Sequence, residues 1–253
     1  MPSVVAYHRP ETLDEAASLA ADPNRRLLAG GTVIVPASRT IGPIGVELVD
    51  LQGLDLNRIE ASVDDGDRLR IGSMCRLGEL LDDPSVPALL QVAARRELPS
   101  TLRYQATIGG TVALGPIDSM VVAGLLVHDA TVEFHDDEPL SLGSMLAAGV
   151  GDRIITAVTI AIDGTGALVA TGRTPADDPI VAAVARTSDE GNRLALTGVA
   201  ATPIEVDPAD PANGLDPPGD FRGSADYRRH LAGVLSRRAL AQLDPDAGAG
   251  GGR

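Results

Sequence analysis

Lysine is absent from this chain. All 21 basic residues are arginine, a bias that points to a GC-rich coding sequence and not to a function. They stand against 35 acidic residues, which leaves a net charge of −14. A field of that sign repels phosphate, so nucleic acid and anionic membrane surfaces are excluded as partners. Aromatic residues make up only 2 %, too few for base-stacking platforms. Cys75 is the one cysteine. That excludes an intrachain disulfide, a thiolate metal cluster and an iron–sulfur cluster on this chain. No histidine spacing suggests a metal site, so none is expected. Apolar runs are broken by Gly, Pro or charge before they reach the length of a membrane span. His8, Arg9 and Glu11 interrupt any basic-then-apolar leader pattern. These absences describe a soluble cytoplasmic protein with no internal repeat.

What is present is enough for a core. The chain has 253 residues, 44 % of them hydrophobic, which suits one large domain or two modest ones. Thr12 followed by Glu15 reads as a capping box for a helix with Leu13, Ala16, Ala17 and Ala20 on one face. Strands are expected at Arg26–Ala29, Val46–Leu51 and Arg68–Gly72, the last after a hairpin turn at 64–67. Short helices fit Arg76–Leu81 and Ala88–Arg96, and an irregular stretch runs from Leu98 to Gln105. Ser119–Val127 reads as a buried helix and Ala130–Phe134 as a strand. Arg153–Ile162, Ile180–Thr187 and Arg193–Val199 sit at hairpin-like spacing and suggest an antiparallel sheet. Residues 207–220 form a Pro/Asp/Gly-rich connection, and Ser224 caps a final helix to about Ala241. The expected division is 1–150 in two lobes (about 1–55 and 56–150), 151–243 as a sheet with one helix, and a tail over 244–253.

Two Gly-Gly-Thr loops carry the functional signal, Gly30–Thr32 and Gly109–Thr111. A loop around a diphosphate needs inward-pointing N–H groups and no side chain in the way, which glycine supplies. One such pair is usually a plain turn; two, each ending in Thr, are a stronger signal. Leu28-Ala29-Gly30-Gly31-Thr32 and Ala106-Thr107-Ile108-Gly109-Gly110 are similar to the two FAD-binding loops of the flavoprotein subunits of molybdenum hydroxylases. Arg68-Leu69-Arg70-Ile71-Gly72, Leu125–Val132, Gly198-Val199-Ala200 and Arg222–Leu231 extend the resemblance almost end to end. It implies an α+β chain: a two-lobed FAD-binding domain, then a small C-terminal domain with a three-stranded antiparallel sheet packed on helices. It also implies FAD contacts from Ala29, Gly30, Gly31, Thr32, Val33, Thr107, Ile108, Gly109, Gly110 and Thr111.

The departures from the family pattern gather at the flavin. Val33 stands where the family has a polar or acidic residue, and Thr111 where it has Asn or Asp. Its acidic residue near the nucleotide falls on Met120, and an aromatic and a basic residue fall on Leu168 and Ala170. Each lost hydrogen bond costs about 0.5–1.5 kcal/mol. Two readings follow, with the weight slightly toward the first. In one, the cleft has lost its cofactor and holds a small-molecule substrate, as a cofactor-independent cyclisation or cycloaddition enzyme of natural-product biosynthesis. In the other, the chain is an FAD-binding electron-transfer subunit with iron–sulfur and molybdenum partner subunits. A non-catalytic scaffold, with Ser224–Arg238 as its interface, is a third class.

For the cofactor-free reading the candidate catalytic side chains are Asp118, Tyr104, Arg103 and Arg173. Arg103 and Tyr104 are placed to donate to an oxyanion, or simply to pack the stretch before the second loop. Asp118 lies in an apolar segment, where burial would raise its pKa for acid catalysis, unless it only caps the next helix. Arg173 with Asp177 is either functional or an ion pair holding a turn. Cys75 reads as a packed residue.

Overall fold

The computed structural model describes residues 4–38, 45–62, 67–172 and 178–243. Arg173, Asp177 and most of the turn at 64–67 lie outside these residues, as does the tail.

The first lobe is a parallel sheet in which β3 (Val46–Asp50) lies between β1 (Val4–His8) and β2 (Arg25–Leu28). The crossover α1 (Leu13–Ala20) starts as its capping residues dictate: the Thr12 hydroxyl accepts from Glu15 N–H at 3.2 Å. Glu15 reaches one residue further back than a capping box requires, to Glu11 N–H at 2.8 Å. β1 is a strand the periodicity did not reveal, because its residues alternate only between exposed and half-buried.

The second lobe is a five-stranded antiparallel sheet around β4 (Ile59–Ala61), β5 (Arg68–Gly72), β6 (Thr131–Phe134), β7 (Asp137–Ser141) and β8 (Ile155–Ala161), in the order β4-β5-β8-β6-β7. β8 is the strand expected to open the C-terminal sheet. It pairs instead with β5 and β6, so the second lobe's sheet continues past residue 150. Sequence spacing alone cannot tell a hairpin partner from a strand returning to an earlier sheet.

The third unit is an antiparallel sheet ordered β12-β11-β10-β9. Its strands are β9 (Thr165–Ala170), β10 (Ala182–Ser188), β11 (Gly191–Thr197) and the short β12 (Ile204–Val206), one more than the three expected. The final helix α8 (Ala225–Leu243) packs on this sheet, and the Ser224 hydroxyl accepts from Tyr227 N–H at 3.2 Å as its capping role requires.

Helices of the second lobe bind the units together. They are α3 (Ala88–Glu97), α4 (Ser100–Arg103), α5 (Ile108–Leu114), α6 (Met120–Val127) and α7 (Leu142–Ala148). All eight residues of α6 are buried, which explains its lack of a polar face: one core cluster joins it to β8, β10 and β11. Across the first two lobes, His135 meets Asp14 at 2.9 Å and Asp136 at 3.2 Å. No helix among the described residues is long and apolar enough to cross a membrane.

Candidate functional site

β2 ends at Leu28, and the first glycine pair follows at once. Gly31 holds φ at +73°, a conformation that costs other residues roughly 1–2 kcal/mol. The turn there starts the short helix α2 (Ile34–Ser38), which the sequence reading had missed. Among the described residues, the N–H groups of Gly31, Thr32, Val33 and Ile34 have no protein acceptor. All four residues line the same cavity. Successive free N–H groups at a turn that enters a helix make a concavity complementary to an anion.

Three cavities of about 530, 590 and 480 Å³ meet here. Ala29 lines all of them, Gly30 and Thr107 join the first to the third, and Gly110 joins the first to the second. Together they form one branched cleft between the first and second lobes, each branch of a size that holds part of a ligand. The first branch is walled by Val33, Ile34, Leu98, Leu102 and Met120 and is mainly apolar. The third is polar, with Gln52, Asn57, Arg76 and Tyr104.

The second glycine pair differs from expectation. Residues 108–114 are helical, so Gly109 and Gly110 sit in the first turn of α5 and not in an open loop. Thr107 is the reason: its hydroxyl accepts from Gly110 N–H at 3.2 Å and caps the helix. The N–H groups of Ile108 and Gly109 donate to Cys75 O and Ser73 O, and the Thr111 hydroxyl donates to Thr107 O. Ile108 is fully buried in the core and lines none of the three cavities.

The two glycines of each pair have different tasks. A Cβ on Gly30 would lie 1.9 Å from the Gln105 carbonyl oxygen, and one on Gly109 would lie 2.8 Å from the Ser73 carbonyl oxygen. Both positions are glycine because backbone packs on backbone there. Gly110 meets only the Thr107 hydroxyl, at 3.1 Å, and otherwise faces the cleft.

Of the four candidate catalytic side chains, two reach the cleft. Tyr104 lines the polar branch with its ring against Gly78, and Asp118 lines the apolar branch. Asp118 is not buried as expected: its side chain is 34 % exposed and lies 3.7 Å from Arg222 Nη1. The turn closed by Ser119 N–H to Pro116 O keeps it at the cleft mouth. Nor does it cap the next helix; Ser119 does, accepting from Val122 N–H at 3.0 Å. Arg103 lines none of the three cavities, and its Nε is buried without a partner. Cys75 is packed as expected, and burial pushes its thiol up to about 11.

The sequence reading passed over Glu97. At the end of α3 its carboxylate turns to the start of α6, where it accepts from the Ser119 hydroxyl and from Val121 N–H at 3.0 Å. Glu97 also lines the apolar branch. Burial raises its pKa to about 7, against the hydrogen bonds that favour the charged form. No local signal marks it, since Glu97 and Ser119 meet only in the folded chain.

A pH prediction follows. Glu97 is raised from 4.5 to about 7, so its contribution is fully present below pH 4.5 and is lost as pH rises through 7. His128, buried and donating its Nδ1–H to Ala161 O, is lowered by burial from 6.5 to about 4. Its contribution is present above pH 6.5 and is lost as pH falls through 4. Each is on the order of 3 kcal/mol, and the two oppose each other across the same interval. In urea unfolding at stepped pH, Glu97→Gln should lose stability as pH falls from 6.5 to 4, while His128→Asn should gain it as pH falls from 7 to 4.5. The same flat profile in both variants would contradict this balance.

The α+β fold thus sets a turn of free amides, of the kind that suits an anion, at the seam of its first two lobes. Residues 3–160 match the family described as the FAD binding domain in molybdopterin dehydrogenase, and the chain belongs to that family. It is 33 % identical over 250 residues to the uncharacterized protein YgfM of Escherichia coli K12, covering 90 % of this chain and 92 % of that one. It is 26 % identical over 280 residues to the carbon monoxide dehydrogenase medium chain of Afipia carboxidovorans, covering 95 % and 96 %. The fold is shared with the carbon monoxide dehydrogenase of Hydrogenophaga pseudoflava that lacks the Mo-pyranopterin moiety of its molybdenum cofactor. There the TM-score is 0.86 at 22 % identity, over 96 % of this chain and 98 % of that one.

Proposed function

We propose that this chain is an FAD-binding subunit that relays electrons between a molybdenum-containing partner and an external acceptor. The observation that carries the reading is the row of unpartnered N–H groups from Gly31 to Ile34, opening into a cleft with branches on either side. A diphosphate at that turn would place its two flanking nucleotide halves in separate branches, as an extended dinucleotide requires. Bound FAD supplies one- and two-electron redox chemistry. The protein's part is to hold the diphosphate on the Gly31–Ile34 amides, keep the lobes in register at Gly30, and keep water from the apolar branch.

Cys75 is the single cysteine and is buried, so iron–sulfur centres in such an assembly would belong to partner chains. The medium chains of carbon monoxide dehydrogenase and of the nicotine 6-hydroxylase of Paenarthrobacter nicotinovorans are relatives whose names agree with a subunit role. The cofactor-free cyclase reading has less behind it. Among its side chains Asp118 is exposed beside Arg222 and Arg103 lies off the cleft.

Adding FAD at 100 times its Kd should stabilise the fold by about 2.7 kcal/mol. The expected result is an upward thermal shift with saturation at one FAD per chain. A colourless protein whose melting point ignores added FAD would sink the proposal.

A further inference from the structure

Three carboxylates line the apolar branch, and one of them, Glu97, is held between the end of α3 and the start of α6. Resting on the flavin reading above, we propose that Glu97 takes up a proton when FAD binds and, as a neutral acid, donates a hydrogen bond to a ring nitrogen or carbonyl oxygen of the ligand in this branch.

Geometry supports this first. Glu97 lines the cavity together with the Gly31–Ile34 amides, so a diphosphate seated on those amides lies in the same chamber as the carboxyl. Ser119 and the Val121 N–H each take one carboxylate oxygen, which fixes the group at the cavity wall. The surroundings are poor in compensating charge. α6 and β9, which flank α3, carry no charged residue. Asp118, on the turn before α6, repels the carboxylate, while the Arg222 near it faces Asp118 and the Asp178 and Pro179 carbonyls. Asp178 lines the same chamber. Arg95 and Arg96 in the last turn of α3 are exposed, Arg103 on α4 lines none of the three cavities, and Glu79 binds Arg76 N–H. Among the described residues that line the chamber none is a cation, so a dinucleotide adds negative charge and removes water there without an answering charge.

Electrostatics supports it second. In the free protein burial already holds Glu97 at about 7, so a modest further push protonates it near neutrality. Two phosphate charges in the same chamber, in a medium of intermediate dielectric, would raise a carboxyl by about one unit or more. An ionised carboxylate can only accept; the neutral acid gains a donor suited to heteroaromatic acceptors.

The test is isothermal titration with FAD from pH 5.5 to 8.5, in two buffers of different ionisation heat to count protons. Wild type should take up about half a proton near pH 7, with Kd rising about tenfold from pH 6 to 8.5. Glu97→Gln should show no uptake and a flat Kd. Wild-type binding with no proton uptake would overturn the inference while leaving the flavin reading intact; failure to bind FAD at any pH would remove both. If Glu97→Gln does not fold, Asp118→Asn decides: retained uptake supports Glu97, and lost uptake overturns it. Titrations with FMN and with ADP, both of which carry phosphate charge, should show clearly larger uptake with the half whose ring reaches this branch. Equal uptake with both would mean a general field effect and count against a local contact.

Discussion

Gly30→Ala should abolish tight FAD binding and destabilise the fold by about 3 kcal/mol or more. The added methyl would lie 1.9 Å from the Gln105 carbonyl oxygen and 2.7 Å from its carbon. Neither can rotate aside, because both belong to the backbone at the point where the first lobe rests on the second. Overpacking against side chains typically costs about 1–3 kcal/mol, and a backbone clash falls at or above that range. The only relief is to part the lobes, which moves the Gly31–Ile34 amides away from the rest of the cleft. A loss of at least 100-fold in FAD affinity is then expected, equivalent to about 2.7 kcal/mol. Gly110→Ala is the control. Its new methyl would meet only the Thr107 hydroxyl at 3.1 Å, so it should keep most stability while narrowing the cleft. Urea unfolding and FAD titration of both variants give the comparison. Unchanged stability in Gly30→Ala would show that the lobes do not rest on each other there.

Arg228→Leu should cost about 2–4 kcal/mol, because two backbone carbonyls at the sheet's end lose their charged donor, and lower the melting point on the order of 10 °C. Arg228 is 3 % exposed. Its Nη1 donates to Ile180 O at 3.0 Å and Gly198 O at 2.8 Å, and its Nη2 reaches Asp220 at 2.7 Å. It thus ties α8 to the ends of two chain segments of the C-terminal sheet and to the loop before the helix. Leucine fills part of the volume but leaves two carbonyls and a carboxylate without their donor. Arg229→Ala, one residue on, should cost less than about 0.5 kcal/mol, because Arg229 pairs with an Asp226 side chain that is 94 % exposed. Thermal and urea unfolding of the two variants separate the cases; similar losses would mean that burial of Arg228 is not the cause.

Part of this protein is legible without a fold. The caps at Thr12 and Ser224 are near-neighbour interactions, and both form as the residues dictate. The all-apolar stretch Met120–Val127 reads as a buried helix and is one. The two glycine pairs, with the resemblance that runs from them to α8, fixed the family. These features depend on residues a few positions apart, and the chain carries them in any conformation that forms the local element.

Other features exist only once distant segments meet. Arg228 and Arg229 are adjacent and chemically identical in the sequence; one is buried and one is half-exposed, because α8 turns one face to the sheet. Gly30 and Gly31 look interchangeable, yet Gly30 is required by a contact 75 positions along the chain and Gly31 by its own positive φ. β8 had the pattern of a C-terminal strand and joined an earlier sheet. Glu97 has no local mark, yet its carboxylate lines the cleft while bound to the start of α6. The sequence determined which loops could cradle a diphosphate. The tertiary structure decided which of their amides stay free to do so, because a donor is available only where folding has not already given it a partner.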